Sequence, residues 1–211
     1  MRLKLFIFDL DGTLIDSYMD IGMCVNKVLQ EMGKNPIDPE KVKDWIGGGA
    51  RKLLERLFPD EEIDKALELF RRFYRENPVV HTKAYEGIEE VLDYLRSRGS
   101  FLAVVTNKME DLSCEILRRL ELLHYFDAVV GGDTFPEKKP SPLPIKQVMK
   151  QLGVSPQESI IVGDTSSDIC AGKGAGIWTA LAKWGYVKLD SVMPDFFLSE
   201  PKDVIDLLEK V

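Results

Sequence analysis

Cysteine is scarce in this chain of 211 residues, and the little there is lies scattered. Cys24, Cys114 and Cys170 are odd in number, widely separated and without C-x-x-C spacing. Neither a disulfide framework nor a thiolate zinc site is expected, and a reduced, cytoplasmic setting fits best. Positive charge is also short: 28 Lys and Arg stand against 35 Asp and Glu, a formal net charge of −7. That balance argues against a nucleic-acid footprint and against a basic membrane-binding face. Long apolar runs are missing too. The first apolar stretch, residues 3–10, is broken by Lys4 and Asp9, lacks a small-residue cleavage site and is too short for a signal peptide or a membrane span. No later segment reaches spanning length, and there is no internal repeat or low-complexity tract.

What is present is a succession of short apolar runs at residues 3–8, 101–105, 127–130, 159–162 and 177–181, each followed by Gly, Thr, Asp or Lys rather than by a hairpin turn. Such runs are expected to be buried parallel strands. Between them, Ile88, Val91, Leu92 and Leu95 recur at helical spacing before Gly99, as do Leu112, Ile116, Leu117 and Leu120. The alternation predicts a doubly wound α/β sheet, in which ligands sit beyond the carboxyl ends of the strands. One connection is too long, since about 90 residues separate the first two runs where a crossover needs roughly 30. Residues 17–80 carry helical patterns only: Ile21, Cys24, Val25, Val28, Leu29 and Met32 before Gly33, then Leu53, Leu54 and Leu57, then Ile63, Ala66, Leu67, Phe70, Phe73 and Tyr74. They are expected to form a small helical cap inserted after the first strand, with residues 1–16 and 81–211 as the α/β core. The junctions near Asp16 and His81-Thr82-Lys83 would let the cap act as a lid.

The first run ends in Asp9-Leu10-Asp11-Gly12-Thr13, two carboxylates where such a sheet binds ligands. One acid can attack phosphorus while the other protonates the leaving oxygen and later takes a proton from water. Alternatively, the pair shapes a loop or holds a structural cation. Attack needs help, because a carboxylate about 4 Å from a phosphate dianion is repelled by roughly 8 kcal/mol at an effective dielectric near 20. Gly163-Asp164-Thr165-Ser166-Ser167-Asp168 has acids that could join Asp9 in an oxygen-only site suited to Mg²⁺, or it forms a helix-capping turn. Lys139, in Glu137-Lys138-Lys139-Pro140, offers a point charge to the phosphoryl group and to Asp9, or it stands with Lys138 as a solvated pair. Thr106, in Val105-Thr106-Asn107-Lys108, places a hydroxyl where phosphoryl oxygens could be held, or it caps the next helix.

The ordered set Asp9-x-Asp11-Gly12-Thr13, Thr106-Asn107-Lys108, Lys139-Pro140 and Gly163-Asp164-x-x-x-Asp168 resembles the four motifs of the haloacid dehalogenase superfamily of phosphotransferases, and it spans nearly the whole chain. The spacing, the helical insertion after the first motif and the segment Trp184-Gly185-Tyr186 resemble in particular its phosphoglycolate phosphatase group. The resemblance implies a Rossmann-like core with a helical cap, Asp9 as the residue that forms an aspartyl-phosphate, and Asp11 as general acid and base. It implies Mg²⁺ held by Asp9, the backbone carbonyl of Asp11, and Asp164, with Asp168 supporting a metal-bound water or Lys139. Thr106 and Lys139 would grip the phosphoryl oxygens, with Asn107 also on the substrate. An acid at position 11 disfavours the metal-free dehalogenase branch. The same motifs serve phosphomutases and pyrophosphatases, and a phosphonoacetaldehyde hydrolase would need a Schiff-base lysine in the lid. A receiver-like phospho-aspartate switch is the rival of a different class.

The leaving group is expected to be read by the insertion. Gly47-Gly48-Gly49-Ala50-Arg51 is the candidate: Gly48 and Gly49 would expose backbone N–H groups at a helix start, and Arg51 would add a fork suited to a carboxylate. The expected partner is a small phosphorylated metabolite, 2-phosphoglycolate foremost, with no nucleic acid and no membrane. His81 and Lys108 are expected to be solvated or capping, and Phe70, Phe73 and Tyr74 to form lid core. Trp184 and Tyr186 border the site or pack against it, and His124 and the cysteines have no expected role.

Overall fold

The computed structural model describes residues 3–210. Its first strand, β1 (Leu5–Phe8), is four apolar residues in a row, all fully buried. A run without polar alternation must be covered on both faces, and the pleat divides it: Phe6 and Phe8 enter one apolar cluster, Leu5 and Ile7 another. From β1 the chain passes through β2 (Ile15–Asp16) into an all-helical stretch. This holds α1 (Tyr18–Glu31), a 3-10 turn (Pro39–Trp45), α2 (Ala50–Leu54) and α3 (Asp60–Glu76). The chain returns through β3 (Lys83–Ala84), which pairs antiparallel with β2. Gly33, at φ +70°, allows the turn that follows α1, and three acids, Asp60, Glu61 and Glu62, complement the dipole at the start of α3.

After β3 come α4 (Ile88–Ser97), β4 (Phe101–Val105), α5 (Glu110–Arg119) and β5 (Ala128–Val130). They are followed by α6 (Leu143–Leu152), β6 (Ser159–Gly163), α7 (Ser166–Ala175), β7 (Trp178–Ala182), β8 (Phe196–Leu198) and α8 (Asp203–Lys210). The six-stranded sheet is parallel throughout, in the order β5-β4-β1-β6-β7-β8. The apolar faces of α4, α5 and α8 join the cluster of Phe6 and Phe8, whereas α6 and α7 join that of Leu5 and Ile7, so the sheet is doubly wound. Strand order reverses between β1 and β6, and in such sheets the crevice at that switch point receives ligands. Asp9 leaves β1 there and Asp164 leaves β6.

The five expected strands stand within two residues of their sequence positions. Three strands were not expected. β8 is only three residues long, too short to carry a pattern, and β2 and β3 are two residues each, fixed by their mutual pairing rather than by composition. Apolar residues of α1, α2 and α3, among them Val28, Leu54 and Phe70, lie in the same cluster as Phe6 and Phe8. No helix among the described residues is long and apolar enough to cross a membrane.

Candidate active site

Three carboxylates converge at the switch point. Asp9, Asp164 and Asp168 are buried and bring oxygen atoms within 4.8 Å of one another. Like charges so close repel strongly unless something positive stands among them. Lys139 does: its buried Nζ lies 2.8 Å from Asp9 Oδ1 and 2.6 Å from Asp168 Oδ1, and it also donates to the carbonyl of Val105. Asp168 spends its other oxygen on the N–H and hydroxyl of Thr165, at 3.0 and 2.7 Å, closing a capping box at the start of α7. Asp164 accepts from the Tyr186 N–H at 2.9 Å and from the Thr13 hydroxyl at 3.5 Å. Gly12 crosses above it at φ +88°, where an added Cβ would strike the Asp164 carboxylate, so only glycine fits.

One ammonium does not balance three acids. Burial, helped by Asp168, lifts Asp9 to about 6 against the pull of Lys139. Burial and then Asp9 and Asp168 push Asp164 well above the usual carboxylate range. Burial alone would lower Lys139, but Asp168 and Asp9 outweigh it and raise it to about 12. The donor set is all oxygen, rich in carboxylate and short of positive charge, which suits a hard divalent cation.

Asp11 faces a different neighbourhood. Its Oδ1 accepts from the Ser17 hydroxyl at 2.5 Å and from Lys108 Nζ at 2.9 Å. Lys108 also donates to the Tyr74 hydroxyl at 2.8 Å. The expectation of a solvated or capping Lys108 is therefore corrected: its side chain is 7% exposed and paired. Its partner is 97 positions away in sequence, so no local pattern could announce the contact. Tyr74 is buried as expected, but its hydroxyl reaches the site. Ser17 stands at the N-cap of α1 yet gives its hydroxyl to Asp11, and the phenol oxygen of Tyr186 accepts from the amides of Ser17 and Tyr18 instead, at 2.8 and 3.0 Å. Trp184 donates to the Thr13 carbonyl at 2.9 Å, so both aromatic residues brace the loop behind Asp9 and Asp11.

The glycine loop differs from expectation. α2 is only five residues long, and the loop turns its carbonyls to the sheet domain's side chains. Lys188 Nζ donates to the Ile46 carbonyl at 2.6 Å, Asn107 Nδ2 to that of Gly47 at 2.8 Å, and Lys138 Nζ to that of Gly48 at 2.9 Å. Burial pulls Lys188 down to about 8. Asn107 also donates to the Lys139 carbonyl at 3.0 Å, so its amide nitrogen ties loop to loop, while its Oδ1 is buried without a partner. Thr106 is buried beside it, its hydroxyl oxygen accepting from the Lys108 N–H at 3.2 Å. Arg51 is half-exposed and bound to Asp64. The His81 side chain points to water, although its N–H is one of several donors to Asp20.

A cavity of about 250 Å³ opens over these groups. Asp9, Asp11, Thr106 and Lys108 line its sheet side, and Gly49, Arg51, Leu67, Phe70, Arg71 and Tyr74 line the helical side. Gly48 lies instead on a neighbouring cavity, behind the loop.

A family model described as haloacid dehalogenase-like hydrolase matches residues 6–182. The phosphoglycolate phosphatase of Aquifex aeolicus is 52% identical over 207 residues, covering 98% of this chain and 97% of its own length. That of Chromobacterium violaceum is 36% identical, covering 99% and 97%. A solved structure described as a predicted phosphoglycolate phosphatase from Haemophilus somnus superposes with a TM-score of 0.91 at 29% identity, covering 98% of each chain.

Proposed function

This chain belongs to the haloacid dehalogenase-like hydrolases, and from that membership we propose that it is a magnesium-dependent phosphatase acting through Asp9 on 2-phosphoglycolate. The observation that carries the reaction type is the buried Lys139 held between Asp9 and Asp168, with Asp164 beside them and Asp11 facing the cavity. The substrate rests on the relatives, two of which carry the name phosphoglycolate phosphatase over almost their whole length. We also propose that residues 1–16 and 81–211 act as the core and residues 17–80 as a cap, hinged at the pair β2–β3.

In this reading Asp9, Asp164 and the Asp11 carbonyl would hold Mg²⁺, which would supply positive charge to offset the repulsion between carboxylates and phosphate. Lys139 keeps the Asp9 carboxylate ionised and aimed, and its ammonium neutralises phosphoryl charge as the new bond forms. Thr106 holds a phosphoryl oxygen. Asp9 Oδ attacks phosphorus in line and the ester oxygen leaves, taking a proton from Asp11. Asp11, now a carboxylate, takes a proton from the water that attacks the phosphorus of the aspartyl-phosphate, releasing phosphate and restoring Asp9. Ser17 and Lys108 fix the Asp11 oxygen that they share, so it does not swing from the cavity.

A side-by-side panel of 2-phosphoglycolate, sugar phosphates, pyrophosphate and nucleotides tests this. Expected is Mg²⁺-dependent phosphate release, fastest in kcat/KM for 2-phosphoglycolate and lost by at least a thousandfold in Asp9→Asn. Undiminished release by that variant would sink the mechanism, and a different best ester would sink the substrate.

A further inference from the structure

One cation on the cavity wall has no task in the chemistry above. The face of α3 that lines the catalytic cavity is Leu67, Phe70, Arg71 and Tyr74, at helical spacing i, i+3, i+4 and i+7. Three of these are apolar or aromatic, and Arg71 sets a full charge among them. The cavity's other cations are committed: Lys108 to Asp11 and Tyr74, Lys138 to the Gly48 carbonyl, and Arg51 to Asp64. Arg71 has no hydrogen-bond or ion-pair partner among the described residues.

We propose that Arg71, rather than Arg51, reads the leaving group, its guanidinium fork binding a carboxylate carried on the carbon next to the ester oxygen. The substrate class is then phosphate monoesters of short 2-hydroxy acids, and the proposal rests on the phosphatase reading above. The cavity supplies the line of sight. In the phosphatase reading the phosphoryl end lies at Asp9 and Thr106 and the ester oxygen at Asp11, all three of which line the cavity. Next to Asp11 stand Lys108 and the Tyr74 hydroxyl, and Arg71 lies three residues before Tyr74 on the same helical face, where side chains are neighbours at about 5–6 Å. A carboxylate two bonds beyond the ester oxygen therefore points from the sheet toward α3. Arg71 is exposed, and a planar carboxylate matches its guanidinium fork in two parallel hydrogen bonds, whereas a neutral alkyl group offers the fork nothing in place of water. Arg71 also borders an outer groove that carries Arg51, Arg72 and Arg75 alongside Asp64 and Glu68, an excess of positive charge on a chain of net charge −7. Contact and long-range attraction must therefore be told apart.

The test compares 2-phosphoglycolate with ethyl phosphate, which replaces the carboxylate by a methyl group, in the full-length wild type and in Arg71→Met, Arg71→Lys, Arg51→Met and Arg75→Met. The readout is the ratio of kcat/KM for the two esters. It is expected to fall roughly tenfold to a hundredfold in Arg71→Met, to fall less in Arg71→Lys, which keeps charge without the fork, and to move less than about threefold in Arg75→Met, which removes equal charge one turn away. A ratio unchanged in Arg71→Met, an equal fall in Arg75→Met, or a loss concentrated in Arg51→Met would each overturn the proposal. Wild type that hydrolyses ethyl phosphate but does not favour 2-phosphoglycolate overturns it while leaving the phosphatase reading intact. Release from neither ester removes both.

Discussion

At the residue scale the site is built under electrostatic tension. Asp9 rises from an ordinary 3.8 to about 6 because burial and Asp168 disfavour its charge more than Lys139 favours it. A carboxyl raised in the folded state contributes stability below its unfolded value, and that contribution is lost as pH rises through the folded value. Holding Asp9 ionised at neutral pH therefore costs the metal-free protein. Asp9→Asn is expected to stabilise the metal-free chain by about 3 kcal/mol at pH 7.5, with the gain shrinking as pH falls from about 6 toward 4, as read by urea unfolding at each pH. A variant less stable than wild type at pH 7.5 would contradict this. The residues legible in sequence were those whose neighbours in the motif share their chemistry, such as Asp9 with Asp11 and Asp164 with Asp168. Lys108, Ser17 and Arg71 were not, because their meaning lies in partners, or the lack of them, across the fold.

At the element scale the strands were visible because parallel strands buried on both faces read as unbroken apolar runs, and α1 and α3 because their apolar spacing was helical over three turns or more. The junctions near Asp16 and His81-Thr82-Lys83 were legible too, but what fastens the second of them was not. It is held by Asp20 on α1, a single buried acid that accepts from the N–H groups of Val80, His81 and Thr82 and from the Thr82 hydroxyl. Burial raises its pKa, but these donors outweigh burial and hold it below the usual value of 3.8. Asp20→Ala strands three amides at the return of the chain and is expected to cost about 3 kcal/mol in urea unfolding at neutral pH. The Asp20 contribution is present above its unfolded value and is lost as pH falls through the lower folded value, so the gap between wild type and variant should narrow as pH falls below the ordinary carboxylate value of 3.8. A cost under 1 kcal/mol at neutral pH would mean that the pair β2–β3 holds the hinge without it. Gly49 does cap the start of α2 as expected, but where the loop's carbonyls point was not legible, because composition announces freedom of backbone, not direction. Its flexibility lets three successive carbonyls, those of Ile46, Gly47 and Gly48, face Lys188, Asn107 and Lys138.

Across the whole molecule, one apolar cluster runs from β1 into α1, α2 and α3, and the catalytic cavity lies where the sheet's carboxyl edge meets those helices. In the proposed mechanism the acids come from the sheet and the groups that face the leaving group come from the helices. The net charge of −7 is broken locally by Lys108 and Lys138 on the cavity and by Arg71, Arg72 and Arg75 of α3, close to an edge that carries four aspartates. The central claim is that Asp9 carries the phosphoryl group between substrate and water. The most direct measurement is rapid acid quench of the Asp11→Asn variant with Mg²⁺ and excess 2-phosphoglycolate, followed by peptide mass analysis. Losing Asp11 slows formation as well as discharge, so wild type is quenched alongside, and the expected result in one or both is a single phosphoryl group on the peptide bearing Asp9, in the first milliseconds to seconds. Steady phosphate release with no phosphorylated peptide, or with the phosphoryl group on any other residue, would contradict it.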